Sequence, residues 1–549
     1  MPVAEVLSTQ LEASSEMKGI ENIVRVVQNN AKVIPNKPYI MYGSENGEYT
    51  NYTFKQFDNV TTSEALYWSS KLNTPEGSAR KVVALLLTSS HYIPIIVIAL
   101  AKLNIVPLLL SVRNSPEAIR HLAKEAGAFA LIHDVTTEPL AKTAMQKDVS
   151  IDIQAMHYPD LTKEVLDQEV DGAGVVKNDQ RYHDDFIILH SSGSTAFPKL
   201  ITQSHRYVLL NGTALKSSYK TTVNNNDIYL CIAPLFHTMG MMSTMGHGLS
   251  QGTTIALLLA KSFPARPEDV FNSLEKSAAD FFITTPSILE QLIKLIESDS
   301  TRYSWDTLRK LKYLAYGGSA CPKELGDKIA AKGVNLVSAY GSTETGMLMY
   351  GDFADVKNWS GMKLHPSVHV KWVEVPNGEK GEYELVVLSS SPHSADKIAN
   401  LPGENYATRD VFIERDGWMY FQYRLDDTLV HVNGEKTNPL PIEESLRSHP
   451  LIENACVVGA GRFCTAALIQ LHAEEAERLP LKQVLEQVKL AIHHANRAAP
   501  QHSQVVDEMV YILPLRGKSL CTADKGSIKR RVIEKEFAKE IDELYASFL

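Results

Sequence analysis

The segment HSSGSTAFPK at residues 190–199 is the first part of the sequence whose residue types suggest a chemical role. Three serines, a threonine and a glycine fill positions 191–195, and Lys199 follows. Because a strand-like run, DDFIILH, precedes the segment, its backbone amides could form a nest of donors for phosphate oxygens. An ordinary polar turn accounts for the same residues equally well. The segment is not a Walker loop, and RGKSL at 516–520 has Ile512 where that loop needs its first glycine.

Six further motifs follow this serine loop along the chain. They are PLFHTMG (234–240), YGGSACP (316–322), YGSTETG (340–346), YATRD (406–410), YRLDDTLVHVNGEKTNPLPIEE (423–444) and TADKGSIKRR (522–531). The ordered series resembles the adenylate-forming superfamily of acyl-CoA synthetases, nonribosomal-peptide adenylation domains and firefly luciferase, over nearly the whole chain. The resemblance implies that a carboxylate attacks the α-phosphate of ATP, giving acyl-AMP and pyrophosphate.

Two shorter stretches narrow the resemblance. LLLSVRNSPEAIRHL (108–122) and NGEKTNPLPIEE (433–444) are similar to adenylation domains of fungal nonribosomal-peptide-synthetase-like enzymes, including carboxylic acid reductases. In those proteins a carrier domain follows, and then a reductase or thioesterase. The sequence stops about where a carrier domain would begin, so we expect either an excised domain or a free-standing ligase.

The resemblance assigns the phosphates of ATP and a metal ion to named residues. The serine loop would hold the β- and γ-phosphates, and Lys199 would add positive charge. Glu344 would coordinate Mg²⁺, which suits a carboxylate together with substrate phosphates, and Thr343 would touch the α-phosphate. A carboxylate favoured by the dipole of a helix N-terminus is the alternative for Glu344. The loop residues assigned in this way are Ser191, Ser192, Gly193, Ser194 and Thr195.

The resemblance also assigns the adenosine part of ATP and the acid. Tyr340 would stack on adenine, and Gly318 would let the base approach because glycine has no Cβ. Asp410 would accept hydrogen bonds from both ribose hydroxyls, supported by Arg424, although a solvated surface pair is the alternative. His237 would lie beside the reacting carboxylate, whereas a lone histidine is more often structural. Ser319, Gly341 and Ser342 are counted with the nucleotide contacts.

The second half-reaction of the family transfers the acyl group to a thiol. The thiol belongs to CoA or to a phosphopantetheine arm, which would make a carrier protein a partner. A small C-terminal domain rotates between the two steps, which by position makes Asp426 the hinge and places Gly434 along the thiol tunnel.

The catalytic lysine of the family lies in the last motif. The usual glycine-lysine pair is replaced here by the order KGS at 525–527. We assign Lys525, since the fungal subgroup shows a similar order, while Lys529 and Lys518 stay open. A charged helical face with no catalytic role is the alternative for this segment.

Four positions depart from the family pattern. Ala196 and Leu200 stand where glycine is usual, and Arg409 and Tyr423 replace glycines that precede a motif residue. A left-handed Ala196 would cost about 1–2 kcal/mol, whereas Arg409 could crowd or pair with Asp410. A second hypothesis therefore stays open: a catalytically weak or inactive ATP- or AMP-binding homologue that acts as a sensor or as a partner of synthetase modules. A luciferase-like oxygenase shares the motifs without independent support.

The segment LFHTMGMMSTMG at 235–246 bears on the acid substrate. Adenylation domains for α-amino acids usually carry an aspartate in the corresponding stretch, and this segment has no carboxylate. The sequence therefore favours an aryl or aliphatic acid without an α-amino group. Met239, Met241, Met242 and Met245 suggest an adaptable apolar wall, although methionines at this spacing are more often core.

Around these motifs, apolar runs rich in β-branched residues alternate with longer helical patterns. KVVALLLTSS, a helix near 93–103 and VPLLLSV form one such unit. The alternation predicts an α/β fold of parallel strands and crossover helices, with ligands at the carboxyl ends of the strands. Turn signals at Asp416-Gly417 and Asn433-Gly434 mark later hairpins. We expect a large adenylation core at 1–424 and a small mobile α+β domain at 425–549.

Composition limits the classes of protein. A chain of 549 residues with 44% hydrophobic residues is typical of a globular protein with more than one domain. A net charge of -9 gives no basic field for nucleic acid. The most apolar region, 82–112, is interrupted before it reaches membrane-spanning length, and the N-terminus does not look like a signal peptide. Five cysteines without metal-ligand spacing favour a reducing, cytoplasmic location.

Overall fold

The structure is a computed structural model that describes residues 22–548 with several gaps. The gaps are residues 45, 76–79, 147–149, 178, 192–197, 219–225, 260–265, 353–355, 376–380, 426, 433–434, 498 and 523–525. The chain forms two compact units. The first comprises Met1–Gly318, Gly326–Lys371 and Val387–Ala407, and the second comprises Ser319–Leu325, Trp372–Val386 and Thr408–Leu549. The predicted boundary at 424/425 between a core and a mobile domain stays a prediction.

Helices and strands alternate through most of the chain. The helices are α1 Ile23–Val33, α2 Phe54–Lys71, α3 Tyr92–Ala101, α4 Pro116–Glu125, α5 Glu138–Met145, α6 Lys163–Asp167, α7 His205–Ser218, α8 Thr238–Met241, α9 Pro267–Ser277, α10 Pro286–Ser298, α11 Trp305–Arg309, α12 Lys323–Ala331, α13 Leu440–Arg447, α14 Ala473–Glu477, α15 Leu481–Asn496, α16 Arg530–Glu536 and α17 Ala538–Phe548, with a π-helix at Met242–Leu249. The strands are β1 Pro38–Gly43, β2 Tyr49–Thr53, β3 Val82–Leu86, β4 Val106–Leu109, β5 Ala128–His133, β6 Asp152–Ala155, β7 Asp185–Ser191, β8 Lys199–Ser204, β9 Ile228–Cys231, β10 Thr254–Leu257, β11 Phe281–Thr284, β12 Tyr313–Tyr316, β13 Leu336–Ser342, β14 Gly346–Tyr350, β15 Lys363–Leu364, β16 Val370–Glu374, β17 Glu382–Val387, β18 Tyr406–Arg415, β19 Trp418–Arg424, β20 Leu429–Val430, β21 Lys436–Thr437, β22 Ile452–Val458, β23 Thr465–Leu471 and β24 Val505–Ile512.

Two sheets form the framework of the first unit. One has nine strands in the order β15-β14-β13-β12-β11-β9-β10-β1-β2, and the other has six in the order β6-β5-β3-β4-β7-β8. Neighbouring strands from β1 through β13 in the larger sheet run parallel. Every residue of β3 and β4 is buried, as expected for parallel strands covered on both faces. The predicted α/β fold is confirmed.

Local residue choice explains where the predicted elements begin. Helix α4 starts directly after Ser115, whose Oγ accepts a hydrogen bond from the amide of Ala118 (3.2 Å), and Pro116 occupies its first position. The predicted helix near 93–103 is α3, which is ten residues long. No helix in the described part of the chain is both long and apolar enough to cross a membrane.

The second unit contains the hairpin that the turn signal at Asp416-Gly417 predicts. Strands β18 and β19 pair antiparallel through a two-residue turn, in which Asp416 (φ 52°) and Gly417 (φ 79°) both adopt the left-handed conformation of a type I′ turn. A second sheet has the order β22-β23-β24 and packs against α13 and α15. The other turn signal, at 433–434, lies outside the described residues.

Five histidines of the first unit are held neutral by burial. Burial lowers the pKa of His91, His205, His247 and His365 to about 4, and burial with nearby positive groups lowers that of His393 to about 3. The unfolded chain therefore binds more protons than the folded chain between about pH 6.5 and pH 4.

The first unit should consequently lose stability as the pH falls through this window. Each histidine contributes up to about 1.4 kcal/mol per pH unit to the slope of the free energy of unfolding against pH. Its contribution to stability is fully present above the pKa that the histidine has in the unfolded chain. Urea unfolding followed across the window tests this. His205→Asn should lower the slope by about one proton, because asparagine does not titrate in this window. The variant should still fold, since the amide oxygen of asparagine can accept the hydrogen bond from the Ile23 amide that His205 Nδ1 accepts at 3.1 Å. An unchanged slope in the folded His205→Asn variant would contradict the assignment.

A buried ion pair fixes the C-terminal helices of the second unit. Arg530, 7% exposed, donates from Nη1 (2.5 Å) and Nη2 (3.1 Å) to the carboxylate of Glu443, which is 1% exposed. The carbonyl oxygen of Val457 accepts a further bond from Arg530. The pair therefore joins the start of α16 to α13 and β22.

Arg530→Met should destabilise the second unit by about 3–5 kcal/mol, because it leaves the Glu443 carboxylate buried without a counter-charge. Thermal and urea unfolding measure the loss. Arg531→Met removes the same charge from the exposed neighbouring position and should change stability little. Equal effects of the two substitutions would show that the buried pair is not what holds α16.

Candidate functional site

One edge of the nine-stranded sheet gathers several of the predicted site residues. Strands β9, β11, β12 and β13 are neighbours and run parallel, so their carboxyl ends meet at this edge. His237 follows β9 and directly precedes α8, Gly318 follows β12, and Tyr340 lies in the last part of β13. Ligands of open α/β sheets bind at such an edge.

The motif YGSTETG forms the hairpin turn between β13 and β14. Ser342 pairs with Gly346 across the turn, and Ser342 Oγ accepts a hydrogen bond from the amide of Thr345 (3.2 Å). Gly346 has φ 66°, and a Cβ there would collide with the side chain of Asn211. The last glycine of the motif is therefore required by the backbone. The helix N-terminus considered for Glu344 is wrong, because this residue lies in a β-turn.

Residues that the motifs do not include hold the tip of this turn. The carbonyl oxygen of Thr343 accepts hydrogen bonds from Tyr207 Oη (3.1 Å) and Gln203 Nε2 (3.3 Å), and that of Glu344 accepts one from the amide of Ala395 (2.8 Å). Burial raises the pKa of the Tyr207 phenol, so the phenol stays protonated and donates. Sequence reasoning missed Tyr207 and Gln203, since their only signal is a position in α7 and β8 near the serine loop.

Glu344 presents a carboxylate at the tip of the turn. The side chain is half-buried, and none of the described side chains forms an ion pair with it. The described residues also contain no group of three or more histidine, cysteine, aspartate or glutamate side chains that could hold a metal ion. A divalent cation at this edge would therefore depend on one carboxylate and on phosphate oxygens, which is the way Mg²⁺ is usually bound.

The serine loop connects two antiparallel strands. Strand β7 ends at Ser191, which pairs with Lys199 at the start of β8. Lys199 is exposed at the base of this connection. Residues 192–197, which include Ser192, Gly193, Ser194 and Thr195, lie outside the described residues, so the phosphate contacts assigned to them stay predictions.

A cavity lies beneath this edge in the first unit. Its walls include Tyr229, Phe281 and Tyr313 from three neighbouring strands, and Met239 and Met242 from the segment after His237. Of the four methionines predicted to form an apolar wall, only these two line the cavity, since Met241 and Met245 are fully buried in the core. The cavity is a small, mostly apolar space next to the motif residues.

Asp410 and Arg424 form a pair within the second unit. They are register partners on β18 and β19, and Arg424 Nη1 lies 3.1 Å from Asp410 Oδ1. The Asp410 side chain is 10% exposed. The amide of Asp410 donates to Thr408 Oγ1 (3.1 Å), which donates to the carbonyl oxygen of Leu385 (2.8 Å). The Asp410 carboxylate is therefore mostly buried, whereas the Arg424 side chain is 41% exposed.

Two departures from the family pattern have structural explanations. The Arg409 guanidinium lies 3.7 Å from the carboxylate of Glu384, so it forms an ion pair there. Tyr423 donates from its hydroxyl to Glu382 Oε2 (2.8 Å). Arg409 nevertheless adopts φ 65°, the left-handed conformation that glycine favours.

The remaining predicted residues are placed only in part. Asp426, Gly434 and Lys525 lie outside the described residues. An isolated bridge pairs Thr522 with Ile528. Of the other lysines considered, Lys529 precedes α16, and Lys518 lies over the ring of Phe537 (5.9 Å). Ser319 belongs to the second unit.

Comparison with known sequences gives a consistent family. Residues 27–389 match the family described as AMP-binding enzyme, and residues 426–549 match the AMP-binding enzyme C-terminal domain. An adenylate-forming reductase of Serpula lacrymans var. lacrymans is 27% identical over 501 residues, which are 86% of this chain and 44% of that protein. A carboxylic acid reductase of Neurospora crassa is 26% identical over 461 residues, covering 80% and 42%. The chain thus spans less than half the length of these curated relatives.

Comparison with solved structures gives the same fold. An o-succinylbenzoate CoA synthetase from Bacillus subtilis, solved with its acyl-adenylate intermediate, has a TM-score of 0.71 at 18% identity, covering 93% of this chain and 97% of that one. An anthranilate CoA ligase solved with anthranoyl-AMP has a TM-score of 0.73 at 18% identity, covering 94% and 97%. At these identities the likeness concerns the fold alone.

The left-handed conformation of Arg409 gives a testable difference between two substitutions. Arg409→Gly and Arg409→Ala remove the same ion pair with Glu384, but alanine keeps the left-handed strain. We expect the glycine variant to be more stable than the alanine variant by about 1 kcal/mol. Urea unfolding of the two variants measures the difference. Equal stabilities would mean that the strain at this position is relieved in the folded chain.

Proposed function

Because the chain belongs to the AMP-binding enzyme family, we propose that it activates a carboxylic acid with ATP as acyl-AMP and then transfers the acyl group to a thiol. The observation that carries the proposal is the meeting of His237, Gly318, Tyr340 and the Thr343–Glu344 turn at one sheet edge above an apolar cavity. That arrangement supports an acid in the cavity with its carboxylate directed to the nucleotide side.

The first step needs positioning and charge neutralisation. A carboxylate oxygen forms a bond to the α-phosphorus of ATP, and the bond between this phosphorus and the bridging oxygen breaks, so pyrophosphate leaves with the electron pair. Thr343 and Lys199 would contact the phosphates, and Tyr340 with Gly318 would hold adenine. The rigid support of Thr343 by Tyr207 and Gln203 favours a fixed attack geometry.

Glu344 fits the role of a magnesium ligand. Its carboxylate is half-buried at the turn, beside the residues proposed to contact phosphate, and none of the described side chains pairs with it. A bound Mg²⁺ would supply positive charge that offsets the developing charge on pyrophosphate. The Ala395 amide donates a hydrogen bond to the Glu344 carbonyl oxygen, which holds the backbone that carries this carboxylate.

The pair Asp410–Arg424 and the C-terminal residues complete the proposal. Asp410, fixed by Arg424 and Thr408, would bind the ribose hydroxyls. Lys525 would stabilise the adenylation transition state, Asp426 would act as hinge, and Gly434 would line the path of the thiol. The acceptor would be CoA or a phosphopantetheine arm on a carrier protein. The relatives that are adenylate-forming reductases and a carboxylic acid reductase support the activation step in this proposal.

Pyrophosphate release tests the proposal. With ATP, Mg²⁺ and a panel of aryl and aliphatic acids, we expect release that depends on the acid and falls about 10²–10³-fold in Lys525→Ala. Lys535→Ala, an exposed lysine on α16, is the matched control and should retain activity. A larger fall in Lys529→Ala or Lys518→Ala would reassign the catalytic lysine.

The same assay separates the ligase from a nucleotide-binding homologue. If no acid supports release while ATP still raises the thermal unfolding temperature, the chain binds the nucleotide without activating an acid. Acid-dependent release together with formation of an acyl thioester on added CoA would identify the acceptor. Release without transfer to CoA would favour a carrier-bound thiol.

A further inference from the structure

Asn211 lies on α7, and its side chain binds two other segments of the first unit. The residue is 2% exposed. Its Oδ1 accepts a hydrogen bond from the amide of Met347 (2.8 Å), the second residue of β14. Its Nδ2 donates to the carbonyl oxygens of Tyr207 (2.9 Å) and His393 (3.1 Å). One buried side-chain amide therefore joins α7, β14 and the segment that contains His393.

The three partners determine which way the Asn211 amide faces. A backbone N–H can only donate a hydrogen bond, and a backbone carbonyl oxygen can only accept one. If the amide were turned over, its NH2 group would face the N–H of Met347, and its oxygen would face two carbonyl oxygens. The orientation is thus fixed by the contacts, and both amide hydrogens are used by backbone oxygens.

The amide lies directly against the backbone of the YGSTETG turn. A Cβ at Gly346 would overlap the Asn211 side chain, so glycine at this position is what allows the contact with the Met347 amide. Met347 is three residues after Glu344 along the chain. Asn211 therefore fixes the strand that leaves the turn on which Glu344 is carried.

The bond to His393 fixes a second support of Glu344. Ala395, two residues after His393, donates its amide hydrogen to the carbonyl oxygen of Glu344 (2.8 Å). The segment from His393 to Ala395 is thus bound to Asn211 at one end and to Glu344 at the other. Asn211 supports Glu344 from two sides, although it does not contact this residue.

Further hydrogen bonds close a circuit between the two supports. His393 Nε2 lies 2.5 Å from Ser367 Oγ, which lies 2.7 Å from His365 Nδ1. The amide of His365 donates to the carbonyl oxygen of Leu348 in β14 (2.9 Å). All these residues belong to the first unit. Asn211 links this circuit to α7.

We propose that Asn211 is a positioning residue that holds the Glu344 carboxylate in place for a nucleotide-bound divalent cation. The side chain is buried and both of its hydrogens bind backbone oxygens, so it acts on the cation through the turn and not by contact. The inference rests on the proposed function, because the role of Glu344 as a magnesium ligand is part of that proposal.

The part of the ATP affinity that depends on Mg²⁺ tests the inference on the whole chain. Calorimetry gives the Kd of ATP in EDTA and in excess Mg²⁺, without any acid, and the magnesium ratio is the first Kd divided by the second. We expect Asn211→Ala to lower this ratio about 10-fold, because residues that orient a metal ligand typically affect metal affinity by this factor or more. Glu344→Gln should lower it at least as much.

A matched control separates positioning from stability. Asn59 is 9% exposed on α2 and donates from Nδ2 to the carbonyl oxygen of Leu166 (2.9 Å). Asn59→Ala removes a buried amide of the same type, so it should lower the thermal unfolding temperature but leave the magnesium ratio unchanged. If Asn211→Ala does not fold, Asn211→Ser keeps a polar group there that is too short to join the partners, and it should lower the ratio in the same way.

A double-mutant cycle tests whether Asn211 acts through Glu344. In the Glu344→Gln background, Asn211→Ala should lower the magnesium ratio no further. Hydrogen exchange of the Met347 amide should be faster in Asn211→Ala, because this amide loses its acceptor. Unchanged exchange of that amide would contradict the contact itself.

The outcomes distinguish this inference from the proposed function. An unchanged ratio in a folded Asn211 variant, an equal fall in Asn59→Ala, or an undiminished effect in the Glu344→Gln background overturns the role of Asn211. A ratio of one in the unmodified chain also overturns it, whereas pyrophosphate release then still decides on the ligase. The expected fall of the ratio in a chain that releases no pyrophosphate supports the role of Asn211 and contradicts the ligase.

Discussion

The parallel pairing of β9, β11, β12 and β13 is the constraint on which the candidate site depends. Parallel strands place all their carboxyl ends at one edge, so the segments that follow them meet there although they are far apart in sequence. The motif residues near 237, 318 and 340–344 are neighbours for this reason. Strands β9, β11 and β12 are four residues long and mostly buried. The pairing register between neighbouring strands therefore determines how far below the edge each side chain lies.

The edge and the cavity have different kinds of support. At the edge, backbone oxygens of the turn are held by Tyr207 and Gln203, so the positions of Thr343 and Glu344 depend on hydrogen bonds from α7 and β8. Below the edge, the contact between Gly212 and Gly246 brings α7 against the π-helix and places the Gly212 carbonyl oxygen 2.8 Å from His247 Nδ1. Helix α7 therefore serves both regions, with its first turn at the motif turn and its second against the cavity wall.

The second unit supplies fixed charges. Asp410 is held by Arg424 and by a hydrogen bond to Thr408, and Arg530 is held by Glu443 in a buried pair. In both pairs the carboxylate is mostly buried, so its orientation is set before any ligand binds. The left-handed Arg409 next to Asp410 shows that the backbone here keeps a conformation suited to glycine, with the longer side chain accommodated beside Glu384.

The sequence by itself determined the alternation of strands and helices, the type I′ turn at Asp416-Gly417 and the family to which the ordered motifs belong. These features depend on residue types at short spacing, because neighbouring residues determine the local backbone conformation. It also indicated Asp410, Arg424 and the YGSTETG turn, because these residues belong to motifs that are recognised from residue type and order. Only the tertiary structure decided that Arg409 pairs with Glu384, that Met239 and Met242 line a cavity while Met241 and Met245 lie in the core, and that His247 also lines that cavity. The partner that orients His247 is a backbone carbonyl 35 positions away, and such a contact arises from the packing of two glycines, for which a one-dimensional pattern has no signal.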